Sequence, residues 1–510
     1  MSDSSKSIHE EQQLETPLLV GDRRRHHPPP EDDDDATTTT TTTWQAELVR
    51  ELKRQMKVAG PLVVVSFLQY SLQLISVMFV GRLGQLALSS ASMATSFAGV
   101  TGFGFMMGMG GALETLCGQA YGSAQHHHLL GLHLQRALII TTILSIPISL
   151  LWAYTARIFL FLGQDPQISR GAGLYARILI PSILPYGFLQ CQLRFLQAQN
   201  LVSPLILSTG LATVFHVGLC WALIFRLGFG NEGAALSVAV SYWVNVVVLG
   251  IYIGFSPSCR MTWTGFSWDG VRGLCGFLRL GVPSALMVCL ELWSYEFLVF
   301  MSGLLPNPML ETSMMSLSIS TTSVAFRISF GLGSAVSTRV SNELGAGRQN
   351  AALVAVRAGT FLSMAQGLCL SLILISVRDV WGFLYTNDQQ LAAYMARVIP
   401  VLALSNFMDA MQAVFSGVAR GCGWQVIGTY VNLGAYYLAG LPAAMVLAFV
   451  FGFRGMGLWM GIICGSSLQA CLLFAITMNT NWGKQVKKAK ERLYASSYLS
   501  TETTGAATIP

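Results

Sequence analysis

Charge is the scarcest feature of this sequence. Asp, Glu, Lys and Arg together make up 11% of its 510 residues, against about 25% in soluble domains. So little charge cannot coat a soluble surface of this size, and a multidomain soluble protein is excluded. Signals for several other classes are also missing. No Gly-x-x-x-x-Gly-Lys-Ser/Thr loop occurs, so no P-loop hydrolyses ATP here. No zinc, haem or nucleophile-elbow motif is present, so an enzyme is not expected, and neither a metal nor a cofactor is called for. The ten Cys are scattered singly, mostly in apolar runs (Cys191, Cys220, Cys289, Cys369, Cys464, Cys471), which reads as small apolar side chains rather than bridges or ligands. The first 43 residues contain no apolar core of a signal peptide. The net charge of +6 comes from basic residues at helix ends, which is not the basic face that nucleic acid requires.

What the chain has in abundance is apolar residue, 53% of the total. Twelve stretches are long enough to cross a hydrocarbon core of about 20 residues. They run approximately over 58–80, 87–110, 129–154, 174–196, 203–225, 232–254, 276–302, 314–337, 352–376, 391–417, 426–450 and 455–478. Backbone groups in lipid must bond internally, so these are helices. Short alternating strands of a barrel are absent. The expected class is an all-α polytopic membrane protein. Basic residues gather before the first span (Arg50, Lys53, Arg54, Lys57), in the even-to-odd loops (Arg136, Arg260, Arg272, Arg339, Arg348) and after the last span (Lys484, Lys487, Lys488, Lys490). That bias places both termini in the cytoplasm.

The chain also repeats. Gly60-Pro61 meets Val282-Pro283 and Gly81 meets Gly303, both 222 residues on. Ala112-Leu113-Glu114 through Gly122 meets Ala335-Val336-Ser337 through Gly345 at 223, and Phe229-Gly230 meets Phe451-Gly452 at 222. Arg177 with Pro181 meets Arg397 with Pro400 at about the same offset, which predicts a shared bend. Matches in register through the whole chain predict two six-helix lobes related by a pseudo-two-fold axis along the membrane normal. The expected division is a disordered N-terminal tail 1–46, a first lobe 47–256, a cytoplasmic linker 257–275, a second lobe 276–480 and a cytoplasmic tail 481–510. Transporters of this plan carry the site between the lobes.

Ionisable groups inside the membrane are costly and therefore candidates for function. Glu291 lies mid-way along the seventh span and Asp409 mid-way along the tenth. Asn406, Asp409, Gln412 and Ser416 follow helical spacing and make one polar stripe. Held away from water, either acid can exchange a proton near neutral pH; the alternative is an interhelical hydrogen bond. The repeat places Gln69 opposite Glu291 and Gln190 opposite Asp409. A carboxyl in one half thus meets an amide in the other, which predicts proton coupling in the second lobe. Glu296 faces away from Glu291 and is a candidate for the vestibule. Arg327, in the eighth span, is a counter-charge for one of these acids, a contact for an anionic substrate, or a helix-interface arginine bonded to carbonyls. Glu114 and Glu343 fall in matching loops after spans two and eight and suit a structural or gating role. His126–His128 read as a solvated loop.

Several segments then resemble one family. They are Gly111-Ala112-Leu113-Glu114-Thr115-Leu116-Cys117-Gly118-Gln119-Ala120-Tyr121-Gly122, Cys289-Leu290-Glu291 with Trp293 and Glu296, Ser337-Thr338-Arg339-Val340-Ser341-Asn342-Glu343-Leu344-Gly345-Ala346-Gly347, and Ser416-Gly417-Val418-Ala419-Arg420-Gly421-Cys422-Gly423-Trp424-Gln425. They look like the signature of plant multidrug and toxic compound extrusion (MATE) proteins of the DETOXIFICATION branch, over about residues 48–480. The resemblance implies a V-shaped central cavity and proton-coupled antiport of small organic compounds, and it implies that Glu291 and Asp409 are the protonation residues of the second lobe. Arg327 departs from the mostly uncharged residues of the family. It keeps open an organic-anion, citrate-type efflux transporter, with a lipid-linked substrate flippase as a third reading. The expected partners are a small organic substrate, protons and the lipid bilayer, with the chain itself monomeric and a proton gradient supplying the energy. Glu15-Thr16-Pro17-Leu18-Leu19 resembles an acidic dileucine sorting signal, which points to the vacuolar rather than the plasma membrane.

Overall fold

In the computed structural model, backbone is described for residues 33–506 and side chains for 44–498. The sorting segment Glu15–Leu19 lies outside the described residues. Among those described there is no strand. The fold is twelve membrane helices in two six-helix lobes. The first lobe contains α1 (Asp33–Gly81), α2 (Gln85–Gly122), α3 (His128–Ala153), α4 (Pro166–Ala198), α5 (Ser203–Arg226) and α6 (Gly230–Phe255). The second contains α7 (Leu274–Ser302), α8 (Pro308–Gly345), α9 (Gln349–Ser376), α10 (Gln389–Cys422), α11 (Gln425–Val450) and α12 (Arg454–Met478). A final helix, α13 (Trp482–Ala506), follows. α1 begins at Asp33, inside the stretch expected to be an unordered tail.

Eleven of the twelve are apolar enough to be recognised by hydropathy alone. The exception is α8, whose middle is a run of hydroxyls from Ser316 to Ser323. Three of these hydroxyls bond back to the helix's own carbonyls. Ser320 Oγ donates to the Ser316 carbonyl at 2.9 Å and Thr321 Oγ1 to the Leu317 carbonyl at 2.9 Å. Thr322 Oγ1 donates to the Ser318 carbonyl at 3.1 Å. Back-bonded hydroxyls leave no unpaired donor, so the helix is buried as readily as an apolar one.

The two prolines at matched positions do different things. Pro181 tightens α4 into a single 3₁₀ turn over Ile180–Ser182, whereas Pro400 sits within a continuous α10. The shared bend is therefore not shared in form. A wide π turn at Gly99–Phe103 of α2 has more consequence. It frees the Val100 carbonyl, which accepts a bond from Trp293 Nε1 of α7 at 3.1 Å.

We name the side of the bundle that holds the C-terminal ends of α2 and α8 the terminal face. The segment between the lobes lies there and is pinned to the first lobe. Gln135 of α3 donates to the Gly265 carbonyl and accepts from Ser267 N at 3.0 Å. Thr262 Oγ1 donates to Gln199 Oε1 at 2.9 Å. α13 also packs on this face, through buried Ala489 and Leu493 and through Trp424 Nε1, which donates to Gln485 Oε1 at 3.1 Å. The chain past Tyr498, expected to be unordered, continues this helix to Ala506. An apolar stripe of Val486, Ala489 and Leu493 docks it. The loop of three histidines is more enclosed than expected: His126 is buried, with Ser123 Oγ 2.8 Å from its Nδ1 and the Tyr494 ring edge-on to it.

Candidate functional site

The second lobe holds a polar cluster in its interior. Glu291 on α7 and Asp409 on α10 belong to it. Gln412, one turn on from Asp409, donates from Nε2 to Glu291 Oε2 at 3.0 Å and to Ser416 Oγ at 3.3 Å. Ser405 Oγ donates to Asp409 Oδ2 at 3.3 Å. The predicted stripe on α10 is thus one face, but its members turn to different partners. Asn406 reaches α9, donating to the Gly367 carbonyl at 3.3 Å and Ser371 Oγ at 3.2 Å. The chain of contacts continues from Ser416 to Gln469 of α12, and from Gln469 Nε2 to Asn432 Oδ1 of α11 at 2.7 Å. Asn432 closes the ring on the Met287 carbonyl of α7 at 2.7 Å. Tyr295 and Tyr436 stand in the field of both carboxyls. No described Lys or Arg lies within 4 Å of either acid.

Sequence reading found Glu291, Asp409, Asn406 and Gln412 but missed Gln469, Asn432, Tyr295 and Tyr436. The signal for the first two was the same one, a single amide inside an apolar span. For the tyrosines there was none, since a phenol in a span reads as an ordinary core residue.

The first-lobe amides lie elsewhere. Gln69 of α1 and Gln190 of α4 line a small cavity of about 30 Å³ between the lobes, with Ser66, Arg194, Phe330 and Ser334. That volume admits a water or two. Gln69 Nε2 is buried with no hydrogen-bond partner. Farther from the terminal face, Arg327 of α8 lies over the Tyr70 ring of α1 at 5.1 Å and donates from Nε to the Ser323 carbonyl at 3.2 Å. It pairs with neither Glu291 nor Asp409. Glu296 is exposed, with Ser96 of α2 beside it. Arg327 and Glu296 of the second lobe thus each lie beside a first-lobe residue, Tyr70 and Ser96 respectively, apart from the cluster inside the second lobe.

The lobes close on each other at the terminal face. Glu114 of α2 takes Arg194 of α4 at 2.9 Å and Arg420 of α10 at 2.9 Å, all three nearly inaccessible to water. Arg339 of α8 grips Glu51 of α1 with two bonds of 2.8 and 2.9 Å, and also reaches Glu343 at 2.6 Å. Gln197 donates to the Ser334 carbonyl at 3.0 Å and to Thr338 Oγ1 at 2.9 Å. Glu114 and Glu343 sit inside the last turns of α2 and α8 rather than in loops, because both helices run on to a glycine. Charge-assisted bonds cluster here, while toward the opposite face the lobes are joined by the bond from Trp293 Nε1 to the Val100 carbonyl. This geometry closes a central cleft at the terminal face.

Two six-helix halves joined by ion pairs at one face, with a polar cluster inside one half, suit a membrane transporter. The sequence matches the MatE family over residues 61–222 and again over 283–465, once in each lobe. The chain belongs to the MatE family. Protein DETOXIFICATION 16 of Arabidopsis thaliana is 52% identical over 453 residues, covering 89% of this chain and 93% of its own. Protein DETOXIFICATION 17 of the same plant is 50% identical, covering 89% and 95%. The crystal structure of the eukaryotic MATE transporter AtDTX14 superposes with a TM-score of 0.85 at 46% identity, covering 88% of this chain and all of that one. A MOP superfamily transporter from Pyrococcus furiosus shares the fold at a TM-score of 0.76, covering 86% and 97%, with only 17% identity. This MatE protein is a transporter, and its relatives are named for detoxification rather than for catalysis.

Proposed function

We propose that this MatE protein is a proton-coupled antiporter that moves small organic compounds across a membrane by alternating access, with Glu291 and Asp409 as its proton carriers. The observation that carries the reading is the enclosure of two carboxyls in one lobe, Glu291 bonded to Gln412 and Asp409 to Ser405, with no described basic side chain within 4 Å of either. An unpaired charge taken out of water costs several kcal/mol. The protonation of such a pair is therefore coupled to how the lobe packs and to what enters the cleft. Gln69 and Gln190 keep the polar shape in the first lobe without the proton, which assigns coupling to one lobe. We assign substrate contacts to Tyr70, Gln69 and Gln190 on the interlobe side, reached once the lobes part, and separately to Asn406 and Gln412 within the second lobe. Glu296 lies at the vestibule.

A second reading rests on Arg327. It is a cation in the cleft without a carboxylate within 4 Å among the described residues, and its guanidinium suits an organic anion of the citrate type. A lipid-linked substrate flippase would need several free cations in the cleft, and Arg194 is consumed by Glu114. The basic loops favour cytoplasmic termini, the first lobe ending near 256 and the second opening near 276. Glu15–Leu19 favours the vacuolar membrane, and a single chain contains both lobes, which favours a monomer.

Uptake of a flavonoid glycoside and of a fluorescent organic cation into proteoliposomes tests the proposal, with an imposed pH gradient and clamped potential. Gradient-driven uptake lost in both Glu291→Gln and Asp409→Asn supports it. Uptake that survives both substitutions moves the coupling elsewhere.

A further inference from the structure

A cavity on the terminal face is separate from the cleft and from the carboxyl cluster. It holds about 450 Å³ and is lined by His133 and Arg136 of α3, by Arg279 near the start of α7, and by Arg492 of α13. Its floor is apolar, with Leu116 and Phe277. No carboxylate is among its described lining residues; the nearest are Asp269, beside Arg136, and Glu491, beside Arg492.

His133, as a neutral imidazole, and Arg136 are built into the wall of the cavity. His133 is 2% exposed and Arg136 3% exposed. Arg136 spends Nε on the Arg272 carbonyl at 2.8 Å, while its Nη2 and His133 Nδ1 are buried without a hydrogen-bond partner. Two such donors beside one cavity are uncommon, because an unmade bond at a buried polar group is costly. Arg492 is held by the Cys422 carbonyl at 3.0 Å, and burial lowers its guanidinium from the ordinary arginine value. The start of α7, capped by Gly273, adds the positive end of a 29-residue helix. Gly273 adopts φ 75° and rests on the Arg136 guanidinium, where a Cβ would come within 3.2 Å of it.

We propose that this cavity binds a phosphate-bearing anion. Arginine forks and a histidine nitrogen around an apolar floor match phosphate oxygens carried on a larger body. The ligand would tie together α3 of the first lobe, α7 of the second and the C-terminal helix. It would thereby favour the state in which the terminal face is closed. Its source is either a lipid headgroup or a soluble phosphate ester, and the experiment separates them.

The test uses the full chain and reads thermal unfolding, so transport plays no part in it. Inorganic pyrophosphate is added to protein in phosphate-free detergent, with sodium chloride at equal ionic strength as the control. In parallel the protein is placed in phosphatidylcholine nanodiscs with or without phosphatidic acid. Stabilisation by phosphatidic acid alone identifies the lipid headgroup, and stabilisation by pyrophosphate beyond chloride identifies a soluble anion. In either case Arg279→Gln and Arg492→Gln should each weaken binding about tenfold, the range expected for one charge-assisted bond. Arg136→Gln should weaken it further, but Arg279 is exposed and its substitution leaves the fold intact. Two results overturn the proposal. One is no stabilisation by either probe beyond chloride, and the other is binding unchanged in both Arg279→Gln and Arg492→Gln.

Discussion

Gly122 and Gly345 are 223 residues apart in sequence and meet across the pseudo-two-fold axis in reciprocal contacts. A Cβ on Gly122 would overlap the Asn342 carbonyl, and a Cβ on Gly345 would overlap the Gln119 carbonyl. Gln119 and Asn342 are themselves separated by 223. The ends of α2 and α8 therefore cross backbone to backbone, and the terminal face closes only because both positions lack a side chain.

That crossing makes a first prediction. Gly122→Val or Gly345→Val should disfavour the closed terminal face by about 1–3 kcal/mol, the usual cost of overpacking. The expected outcome is a protein that inserts and unfolds normally but exchanges substrate slowly. Faster thiol labelling of a cysteine placed at Ser334, measured against wild type, checks the direction. Unchanged labelling in both variants would sink the idea.

The buried ion pairs make a second. Glu114→Gln leaves Arg194 and Arg420 as uncompensated buried cations. Breaking such a pair costs about 3–5 kcal/mol. The unfolding midpoint in detergent should drop by several degrees, far more than for Asp379→Asn, which removes an exposed pair with Arg378.

A third concerns lobe assignment. Glu291→Gln and Asp409→Asn should each cut pH-gradient-driven uptake below about a tenth of wild type, as removal of a needed proton carrier does. Gln412→Leu, which deletes the bond to Glu291 at 3.0 Å, should shift the pH midpoint of uptake rather than abolish it. A pH profile identical to wild type for Gln412→Leu would separate Gln412 from the coupling.

The fourth concerns substrate charge. Arg327→Gln should reduce uptake of citrate about tenfold if the guanidinium binds the anion, from the worth of one charged hydrogen bond. Uptake of an organic cation should stay equal or rise. Citrate currents indifferent to the substitution remove the organic-anion reading and leave Arg327 as a packing partner of Tyr70.

Much of the site was legible because membrane burial makes every polar residue conspicuous. Glu291 and Asp409 stood out in apolar runs, and Gln412 was legible as the neighbour on the same helical face. What escaped was pairing. Nothing in the spacing of Gln469, Asn432 and Ser416 says that α10, α11 and α12 bring them into one chain of bonds. Arg194, within two residues of the expected end of the fourth span at 196, is a buried partner of Glu114, because α4 runs on to Ala198. α13 was read as a tail, because its stripe of Val486, Ala489 and Leu493 has meaning only once the lobes present a surface to it.

By itself the sequence determined the solvent, the number of crossings and the two-fold repeat. All three follow from local properties, since hydrocarbon admits only internally bonded apolar segments and a repeat is visible as register. Only the tertiary structure decided which carboxyl is paired and which is not. Glu114 meets two arginines, one of them from the far lobe, while Glu291 meets an amide. That difference depends on contacts between residues on different helices, 121 positions apart for Glu291 and Gln412 and 306 for Glu114 and Arg420, which the pattern along a single helix cannot specify.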